Sequence, residues 1–217
     1  MALRSTTRGP RGTAFAMVSG GEVGNKLPSQ GALRRRRLAH WKAMTTATLA
    51  PAGTLLIRPA TEADYPHIAR ITVDSYLHAG HFDDPDHEYL QFVQQVAKRH
   101  AAAEILVAER DGVVIGSVTL VRPGSEYADI ALEGELEFRM LVVDPAVQRS
   151  GAGRALLNAV IARARELEDV HTVSLTTGGH WVAARALYEA DGFIHASARD
   201  WYVPNTEIVL VVYTLEL

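Results

Sequence analysis

A change of pattern between residues 135 and 165 constrains the fold of this chain more than any other feature. Strand-forming residues run from Leu136 to Val143 and stop at Asp144-Pro145, because proline cannot donate to a strand ladder and fixes its own φ. Beyond Gly151-Ala152-Gly153, apolar residues recur at positions 156, 157, 160, 161, 164 and 167. This spacing of three and four is typical of one helix face. The segment therefore predicts a strand, a tight loop and the start of a helix.

Such a loop can bind an anion. The first N–H groups of a helix lack intrahelical partners and lie at its positive end. Gly151 and Gly153 would permit a positive φ and a close approach of ligand to backbone. Arg149 and Arg154 flank the turn and could add charged hydrogen bonds to a phosphate. An ordinary strand-to-helix turn has the same spacing, so both interpretations stay open at this point.

Three motifs occur in order across residues 54–217. Gln148-Arg149-Ser150-Gly151-Ala152-Gly153 resembles the (Gln/Arg)-x-x-Gly-x-(Gly/Ala) loop of the GNAT N-acetyltransferase superfamily. Ala184–Phe193 is similar to the Ala-x-x-Leu-Tyr-x-x-x-Gly-Phe motif of that family, and Asp111–Val118 resembles its hairpin between the second and third strands. The resemblance implies a GNAT acetyltransferase domain over residues 54–217 that moves acetyl from acetyl-CoA to a primary amine.

The resemblance also implies where the co-substrate acetyl-CoA binds. Strand-end amides would pair with the pantetheine arm as an added strand, and the loop would hold the pyrophosphate. The strand-end residues are Leu141, Val142 and Val143, and the loop residues are Gln148, Arg149, Ser150, Gly151, Ala152, Gly153 and Arg154.

Length and composition limit the class of protein. A chain of 217 residues with 47% hydrophobic residues fits one globular domain, with or without a tail. It contains no cysteine, which excludes a disulfide framework, a thiolate nucleophile and a Cys-ligated metal. No apolar run approaches the roughly 18–20 residues that span a bilayer. We therefore expect a cytoplasmic protein that does not enter the membrane.

The net charge of −3 conceals an uneven distribution. Residues 1–50 hold nine Lys and Arg and one acid, whereas residues 51–217 hold 13 Lys and Arg and 24 acids. The basic part shows no sustained periodicity, which predicts a disordered extension over residues 1–50. A targeting segment, or an extension upstream of a start at Met44, would have the same composition. Arg34–Arg37 could touch nucleic acid or anionic lipid, but a nucleic-acid partner is not expected.

The pattern of the remaining chain predicts the element order βαα-βββ-αβ-αββ. This is a mixed α/β fold, for which the resemblance implies a mostly antiparallel central sheet flanked by helices. Strands are predicted at 54–58, 105–109, 113–121, 135–143, 173–177, 193–201 and 207–215. Helices are predicted at 62–76, preceded by Thr61, at 88–102, from 151, and at 181–190.

The strand over residues 135–143 carries the first candidate catalytic residue. Strict alternation would place Leu136, Phe138, Met140 and Val142 on one face, and Glu135, Glu137, Arg139, Leu141 and Val143 on the other. Some members of the family take their general base from a glutamate six residues before the valine of Val-Asp-Pro. Glu137 has that position and Glu135 is the substitute. Alternatively, Glu137 only balances Arg139 on a solvated face.

Tyr188 is the second candidate. It matches the tyrosine that protonates the departing CoA thiolate in the family, and a phenol with a pKa of about 10 suits a thiolate of about 8.5. The alternative is a core tyrosine. The sequence departs from the family at Trp181, where many members have an asparagine that contacts the pantetheine arm. Thr176 and Thr177 stand where members acting on protein N-termini often have a glutamate.

Histidines and acids mix in the segment 78–87. His78, His81 and His87 lack the i, i+4 spacing of a helical zinc site, so no metal is expected. In the family this region borders the acceptor site, and its acids would favour a cationic amine on a small molecule or a peptide. The sequence leaves the acceptor, the acyl length and the choice between monomer and homodimer open. The competing function is a non-catalytic acyl-CoA-binding or regulatory module.

Overall fold

A computed structural model describes residues 53–203 and 206–217. The predicted extension over residues 1–50 therefore lies outside the described residues. The helices are α1 Tyr65–His78, α2 Glu88–Val93, α3 Val96–Ala102, α4 Ala152–Arg165 and α5 Val182–Ala190. The strands are β1 Leu55–Pro59, β2 Glu104–Arg110, β3 Val113–Val121, β4 Glu135–Val143, β5 Thr172–Gly178, β6 Ile194–His195, β7 Trp201–Tyr202 and β8 Val209–Glu216.

The strands of the described residues form one sheet in the order β1-β2-β3-β4-β5-β8-β6, with β7 also paired to β8. Each pairing is antiparallel except that of β4 with β5. The Asp111-Gly112 turn joins β2 to β3 with positive φ at both residues, as the hairpin motif predicts. The predicted fold class, a mixed and mostly antiparallel sheet flanked by helices, is confirmed.

The two faces of the sheet bury different helices. Leu106 and Ala108 of β2 share one core with Leu156 and Val160 of α4, and residues of α5 pack against it. Ile105 and Val107 of β2 share a second core with residues of α1 and α3. The period-two alternation of β2 explains this division, because successive side chains of a strand point to opposite faces. We call these the α4 face and the α1 face.

The prediction that side chains alternate strictly between the two faces of β4 is wrong beyond Arg139. Thr119 of β3 pairs with Arg139 and Ser117 pairs with Val142, so Met140 and Leu141 together stand opposite one residue of β3. Met140 has a φ of 52°. This is a β-bulge, and the extra residue reverses the faces that follow it. Leu141 and Val143 pack on the α4 face, whereas Met140 and Val142 pack on the side of α1 and α2.

Two other predicted elements are interrupted. The helix expected over residues 88–102 breaks after Val93, where the carbonyl of Val93 accepts a 2.9 Å hydrogen bond from Arg99 Nη1 in place of a helical N–H. The strand expected over residues 193–201 is reduced to β6 and β7 around a short 3₁₀ turn. There the carboxylate of Asp200 accepts a hydrogen bond from the backbone N–H of Val212 in β8. In both segments a side chain of the segment itself, Arg99 or Asp200, forms a hydrogen bond with a backbone group.

The described helices are short. The longest, α1 and α4, each have 14 residues. Within residues 53–203 and 206–217, no helix combines the length and the apolar character needed to cross a bilayer.

Candidate active site

β4 and β5 run together for four residues and then separate. Their pairing extends from Glu135 with Thr172 to Phe138 with Leu175. Beyond it, β4 continues along β3 and β5 continues along β8. In the part of the chain that the structure describes, no pairing joins residues 139–143 to residues 176–178. The sheet therefore has an opening between these two segments, which we call the strand opening.

The end of β4 presents backbone amides to the strand opening. The N–H of Asp144 donates to the carbonyl of Ile115 at 2.8 Å, on the side of β3. Because backbone groups alternate between the two edges of a strand, the N–H groups of Val143 and Leu141 point to the opposite edge. The carbonyl of Val143 is already occupied by the hydroxyl of Ser75 in α1, at 2.8 Å. An extended ligand would therefore find donors on this edge.

The loop between β4 and α4 has the backbone of an anion site. Gly151 is the residue before α4 and has a φ of 86°, and Arg149 has a φ of 62°. A Cβ at Gly151 would have no atom within 4 Å, so a side chain would not clash there. Glycine is favoured at this position because of its positive φ. The expected positive φ at Gly151 is confirmed, whereas Gly153 lies in the first turn of α4 without one.

Gly153 lies where the first turn of α4 meets the end of β4. A Cβ there would lie 3.6 Å from Cγ2 of Val143 and 4.0 Å from Cδ2 of both Leu141 and Leu187. These are ordinary van der Waals distances, so packing alone does not require glycine at this position. They do show that the loop amides and the strand-end amides lie side by side.

Polar contacts fix the loop from one side and leave groups free on the other. Arg110 of β2, which the motifs did not indicate, donates from Nη2 to the carbonyl of Ser150 at 3.1 Å. The hydroxyl of Ser150 is buried and has no protein partner among the described residues. Arg154 is 54% exposed and lies 3.4 Å from Asp191, while Gln148 and Arg149 are exposed. The loop thus keeps a hydroxyl and exposed cationic and amide side chains that a phosphate could use.

Glu137 is anchored more firmly than the sequence indicates. Its side chain is fully buried, so the interpretation of a solvated partner for Arg139 is wrong. Oε2 accepts the backbone N–H groups of Asp129, Ile130 and Ala131, each at 3.0 Å. Oε1 has only longer contacts, 3.4 Å to the N–H of Asp129 and 3.8 Å to Nε of Arg139. Burial raises the pKa of Glu137 above its ordinary value, although Arg139 opposes the change.

Glu135, the substitute base, is held in an ion pair. Arg199 donates to its two carboxylate oxygens at 2.7 and 2.9 Å, and the N–H of Leu132 donates at 3.1 Å. Burial alone would raise the pKa of Glu135, but the hydrogen bonds from Arg199 and Leu132 outweigh it and hold the pKa below its ordinary value. A carboxylate held in this way is a weaker base than Glu137.

Tyr188 lies on the α4 face, across the sheet from Glu137. Its ring packs edge-on against Phe138 at 5.7 Å and also meets Phe193 and Tyr213. The residue is 7% exposed, and burial raises the pKa of its phenol well above the ordinary value. The structure gives its hydroxyl no hydrogen-bond partner among the described residues. The phenol is therefore a core residue that also keeps a free proton donor.

Trp181 stands beside the strand opening, just after β5. Its indole stacks on His81 with a centroid separation of 3.6 Å, and its Nε1 donates to Nε2 of His180 at 2.8 Å. A Cβ at Gly178 would lie 2.5 Å from the indole, so only glycine permits the ring to lie flat on the strand end. Burial, together with the nearby His180, lowers the pKa of His81 to about 4. An aromatic stack thus replaces the asparagine of the family.

Comparison with known proteins identifies the family. The family model described as "Acetyltransferase (GNAT) family" matches residues 65–193, which include β4, the loop and α5. The chain belongs to the GNAT acetyltransferase family. The GNAT prediction made from the three motifs is thereby confirmed.

Named relatives of this GNAT protein match it over part of their length. Mycothiol acetyltransferase of Cellulomonas flavigena is 40% identical over 104 residues, which cover 47% of this chain and 30% of the relative. The ribosomal protein bS18 alanine N-acetyltransferase of Escherichia coli is 43% identical over 67 residues, covering 31% and 45% respectively. The matched segments therefore span less than half of these relatives.

Solved structures share the GNAT fold over most of the described residues. A ribosomal-protein-alanine N-acetyltransferase from Brucella melitensis has a TM-score of 0.56 at 25% identity, covering 75% of this chain and 99% of that one. The protein yncA from Salmonella typhimurium, solved with its cofactor acetyl-CoA, has a TM-score of 0.56 at 24% identity, covering 75% and 94%.

The histidines of the segment 78–87 take separate roles in this GNAT protein. His81 stacks on Trp181, whereas His87 accepts the N–H of Tyr89 on its Nδ1 at the start of α2. Among residues 53–203 and 206–217, no three histidines, aspartates or glutamates converge in a way that could hold a metal ion. The segment therefore contributes aromatic and capping contacts beside the strand opening.

Proposed function

We propose that this protein is an N-acetyltransferase that moves acetyl from acetyl-CoA to a primary amine. The observation that carries the proposal is the placement of two sets of donors side by side. The amides at the end of β4 face the strand opening, and the loop with Gly151 at φ 86° begins α4 directly against them. Family membership supports acetyl-CoA as the co-substrate, and the named relatives are acetyltransferases.

In the proposed complex, the chain binds acetyl-CoA along this continuous row of donors. The N–H groups of Leu141 and Val143 pair with the pantetheine arm, with Val142 between them facing β3. The loop amides and the positive end of α4 hold the pyrophosphate. The side chains of Gln148, Arg149, Ser150 and Arg154 complete the contacts around Gly151, Ala152 and Gly153.

Transfer itself needs two proton movements and no covalent enzyme intermediate. The amine attacks the thioester carbonyl, the C–N bond forms and the C–S bond breaks as the tetrahedral adduct collapses. Glu137 accepts the amine proton, through water, on Oε1, since Oε2 is occupied by three backbone donors. Tyr188 donates its phenol proton to the departing thiolate from the other face of β4. A strand amide in the opening polarises the thioester oxygen.

Two features favour a catalytic protein over a non-catalytic acyl-CoA-binding or regulatory module. Tyr188 keeps an unpartnered hydroxyl inside a core, and the named relatives are enzymes. We further propose that the catalytic unit is residues 54–217 and that it works in the cytoplasm. A monomer and a homodimer are both compatible with this proposal.

The pyrophosphate assignment is tested by Gly151→Asp. The substitution forces a side chain into a positive-φ position and places a negative charge where the phosphates would lie. We expect acetyl-CoA affinity to fall at least 100-fold, a change of about 2.7 kcal/mol, as measured by calorimetric titration of the folded protein.

Gly124→Asp is the matched control for Gly151→Asp. Gly124 has a φ of 85° and also has no atom within 4 Å of a built Cβ, but it follows β3 in the turn before β4. It therefore reproduces the backbone strain and the added charge away from the loop. Equal loss of affinity in both variants, or wild-type affinity for Gly151→Asp, would remove the pyrophosphate from this loop.

A further inference from the structure

Arg99 of α3 is a buried cation without an acid in contact. The residue is 1% exposed, and no ion pair joins it to any described carboxylate. Other arginines that pack around the sheet do have acid partners: Arg58 pairs with Asp64, Arg139 with Asp129 and Arg199 with Glu135. A guanidinium stays charged in a protein. Burying one without a counter-charge therefore costs several kcal/mol.

One donor of this guanidinium is used and another is free. Nη1 donates to the carbonyl of Val93 at 2.9 Å and lies 2.7 Å from Sδ of Met140. Nε is buried and has no hydrogen-bond partner among the described residues. A charged N–H of this kind binds a carboxylate oxygen more strongly than a neutral acceptor. The unpartnered Nε is thus a donor suited to a carboxylate.

A second orphaned group accompanies Arg99. Tyr127 is 2% exposed and its hydroxyl is buried without a partner among the described residues. Its ring stacks on Phe92 at 5.6 Å. Burial raises the pKa of Tyr127, although the charge of Arg99 opposes the change, so the phenol remains a neutral donor at physiological pH. Arg99 and Tyr127 together offer unsatisfied donors on the same side of the sheet.

These donors lie next to the chemistry proposed above. Met140, which Arg99 contacts, is the bulged residue immediately before the free edge of β4. Glu137 and Arg139 lie on the same face as Met140, because they alternate with Leu136 and Phe138 of the α4 face and the bulge adds Met140 to their side. Arg139 itself is engaged by Asp129 at 2.5 Å and by the carbonyl of Tyr127, so it does not compensate for Arg99.

We propose that Arg99 binds the carboxylate of the acceptor, so that the amine acetylated here belongs to a carboxylic acid of the α-amino acid type. This inference rests on the proposed acetyl transfer and names its substrate class. The carboxylate supplies the missing counter-charge of Arg99, and Tyr127 adds a further hydrogen bond. In an α-amino acid the amine is one carbon away from the carboxylate, so anchoring the acid places the amine beside the bulge.

The test compares each L-α-amino acid with its own primary amide. The amide keeps the amine and the side chain but lacks the charge, and it also mimics a peptide N-terminus. We expect the best acid to exceed its amide at least tenfold in kcat/KM, measured by CoA release at fixed acetyl-CoA. Arg99→Met should reduce this ratio to about one through a higher KM for the acid, and Tyr127→Phe should reduce it by about threefold.

Arg165→Met is the matched control, because Arg165 is an exposed arginine at the end of α4. It should keep the wild-type ratio of acid to amide. Thermal melting supplies a second readout: Arg99→Met should melt at or above the wild-type temperature, because an apolar side chain replaces an uncompensated buried charge. A large drop would show that the hydrogen bond to Val93 is the main role of Arg99 and would overturn the inference.

A binding experiment separates this inference from the proposed function. The full chain, saturated with CoA, is melted with N-acetyl amino acids or with their amides as product analogues. We expect the acids alone to raise the melting temperature, and only when Arg99 is present. Equal shifts for acids and amides contradict the inference even if turnover is found. Turnover of amides at the same rate as acids would also contradict the inference. A lack of turnover with every amine would contradict the proposed function instead.

Discussion

At the scale of single residues, the candidate site is defined by groups whose usual partners are absent or saturated. Glu137 has one oxygen that accepts three backbone donors and one with only longer contacts. Nε of Arg99 and the hydroxyls of Tyr127 and Ser150 are buried without a partner among the described residues. Unsatisfied buried polar groups are rare in folded proteins because each costs about 1–3 kcal/mol. Their concentration around β4 is what makes this strand the centre of the proposed chemistry.

The proposed base and acid are tested by Glu137→Gln and Tyr188→Phe. Loss of a positioned acid or base lowers turnover by roughly 10²–10⁴. Raising the pH should partly restore Glu137→Gln, because more of the amine is then free without help. Tyr188→Phe should not recover at high pH, since the missing step is proton donation. Both are measured as pH–rate profiles at saturating acetyl-CoA.

Thermal melting distinguishes catalysis from anchoring in the same two variants. Glu137→Gln places an amide among the N–H groups of residues 129–131, so some loss of stability is expected in addition to lost turnover. A stability loss with a wild-type pH–rate profile would make Glu137 an anchor of this loop only. Tyr188→Phe keeps the ring contacts, so its melting temperature should stay close to that of the wild type.

Residue identities were partly accessible from the sequence. The loop and Tyr188 could be proposed from the sequence because their assignments depend on local motifs, a glycine before a helix and a tyrosine before Gly192. The burial of Glu137 could not be predicted, because it depends on the N–H groups of residues 129–131 folding over it. The unpartnered Nε of Arg99 was equally inaccessible, since an arginine in a polar helix is usually solvated.

At the scale of elements, the bulge in β4 and the separation of β4 from β5 create the site. Both depend on which residue of β3 stands opposite which residue of β4, and this pairing register is not a local property of the β4 sequence. Alternation correctly predicted the faces up to Arg139 and failed at Met140. The sequence therefore indicated the strand and its length but not the reversal that places Leu141 against α4 and Met140 against α2.

The contacts at the start of α1 provide a testable example of how two elements are joined. Asp64 is 7% exposed in its side chain and accepts hydrogen bonds from Arg58 at 2.7 and 2.9 Å and from the N–H of Thr61 at 2.7 Å. This ties β1 to the turn before α1. The hydrogen bonds from Arg58 hold the pKa of Asp64 well below its ordinary value of 3.8, although burial opposes them.

Asp64→Asn should lower the free energy of unfolding by about 2 kcal/mol at pH 7, less than for a wholly buried pair because Arg58 is partly solvated. Since the folded pKa is depressed, the stabilisation is present above the unfolded pKa near 4 and is lost as the pH falls through the folded value. The difference in the free energy of unfolding between Asp64→Asn and the wild type, measured by urea titration, should therefore become smaller as the pH is lowered from 5 to 2. Asp74→Asn, at an exposed i, i+4 pair with Arg70, should cost at most about 0.5 kcal/mol. A constant difference at all pH values would contradict the ion-pair assignment.

At the scale of the whole molecule, the two faces of the sheet carry different sets of candidate functional residues. The α4 face carries the loop, Tyr188 and the start of α4, which the proposed function assigns to acetyl-CoA. The α1 face carries Glu137, Arg139 and Arg99, which it assigns to the acceptor. In the proposed complex, the two substrates meet at the strand opening and approach one thioester carbon from opposite sides of the sheet.

The most direct measurement is mass spectrometry of amines incubated with the full chain and acetyl-CoA. The pools would contain amino acids, amino acid amides, polyamines, aminoglycosides and short peptides, with Gly151→Asp as the matched control protein. We predict that at least one amine gains an acetyl group, with stoichiometric release of CoA, in the presence of the wild type and not of the variant. Tight binding of acetyl-CoA without acetylation of any amine would contradict the proposal and indicate a non-catalytic acyl-CoA-binding module.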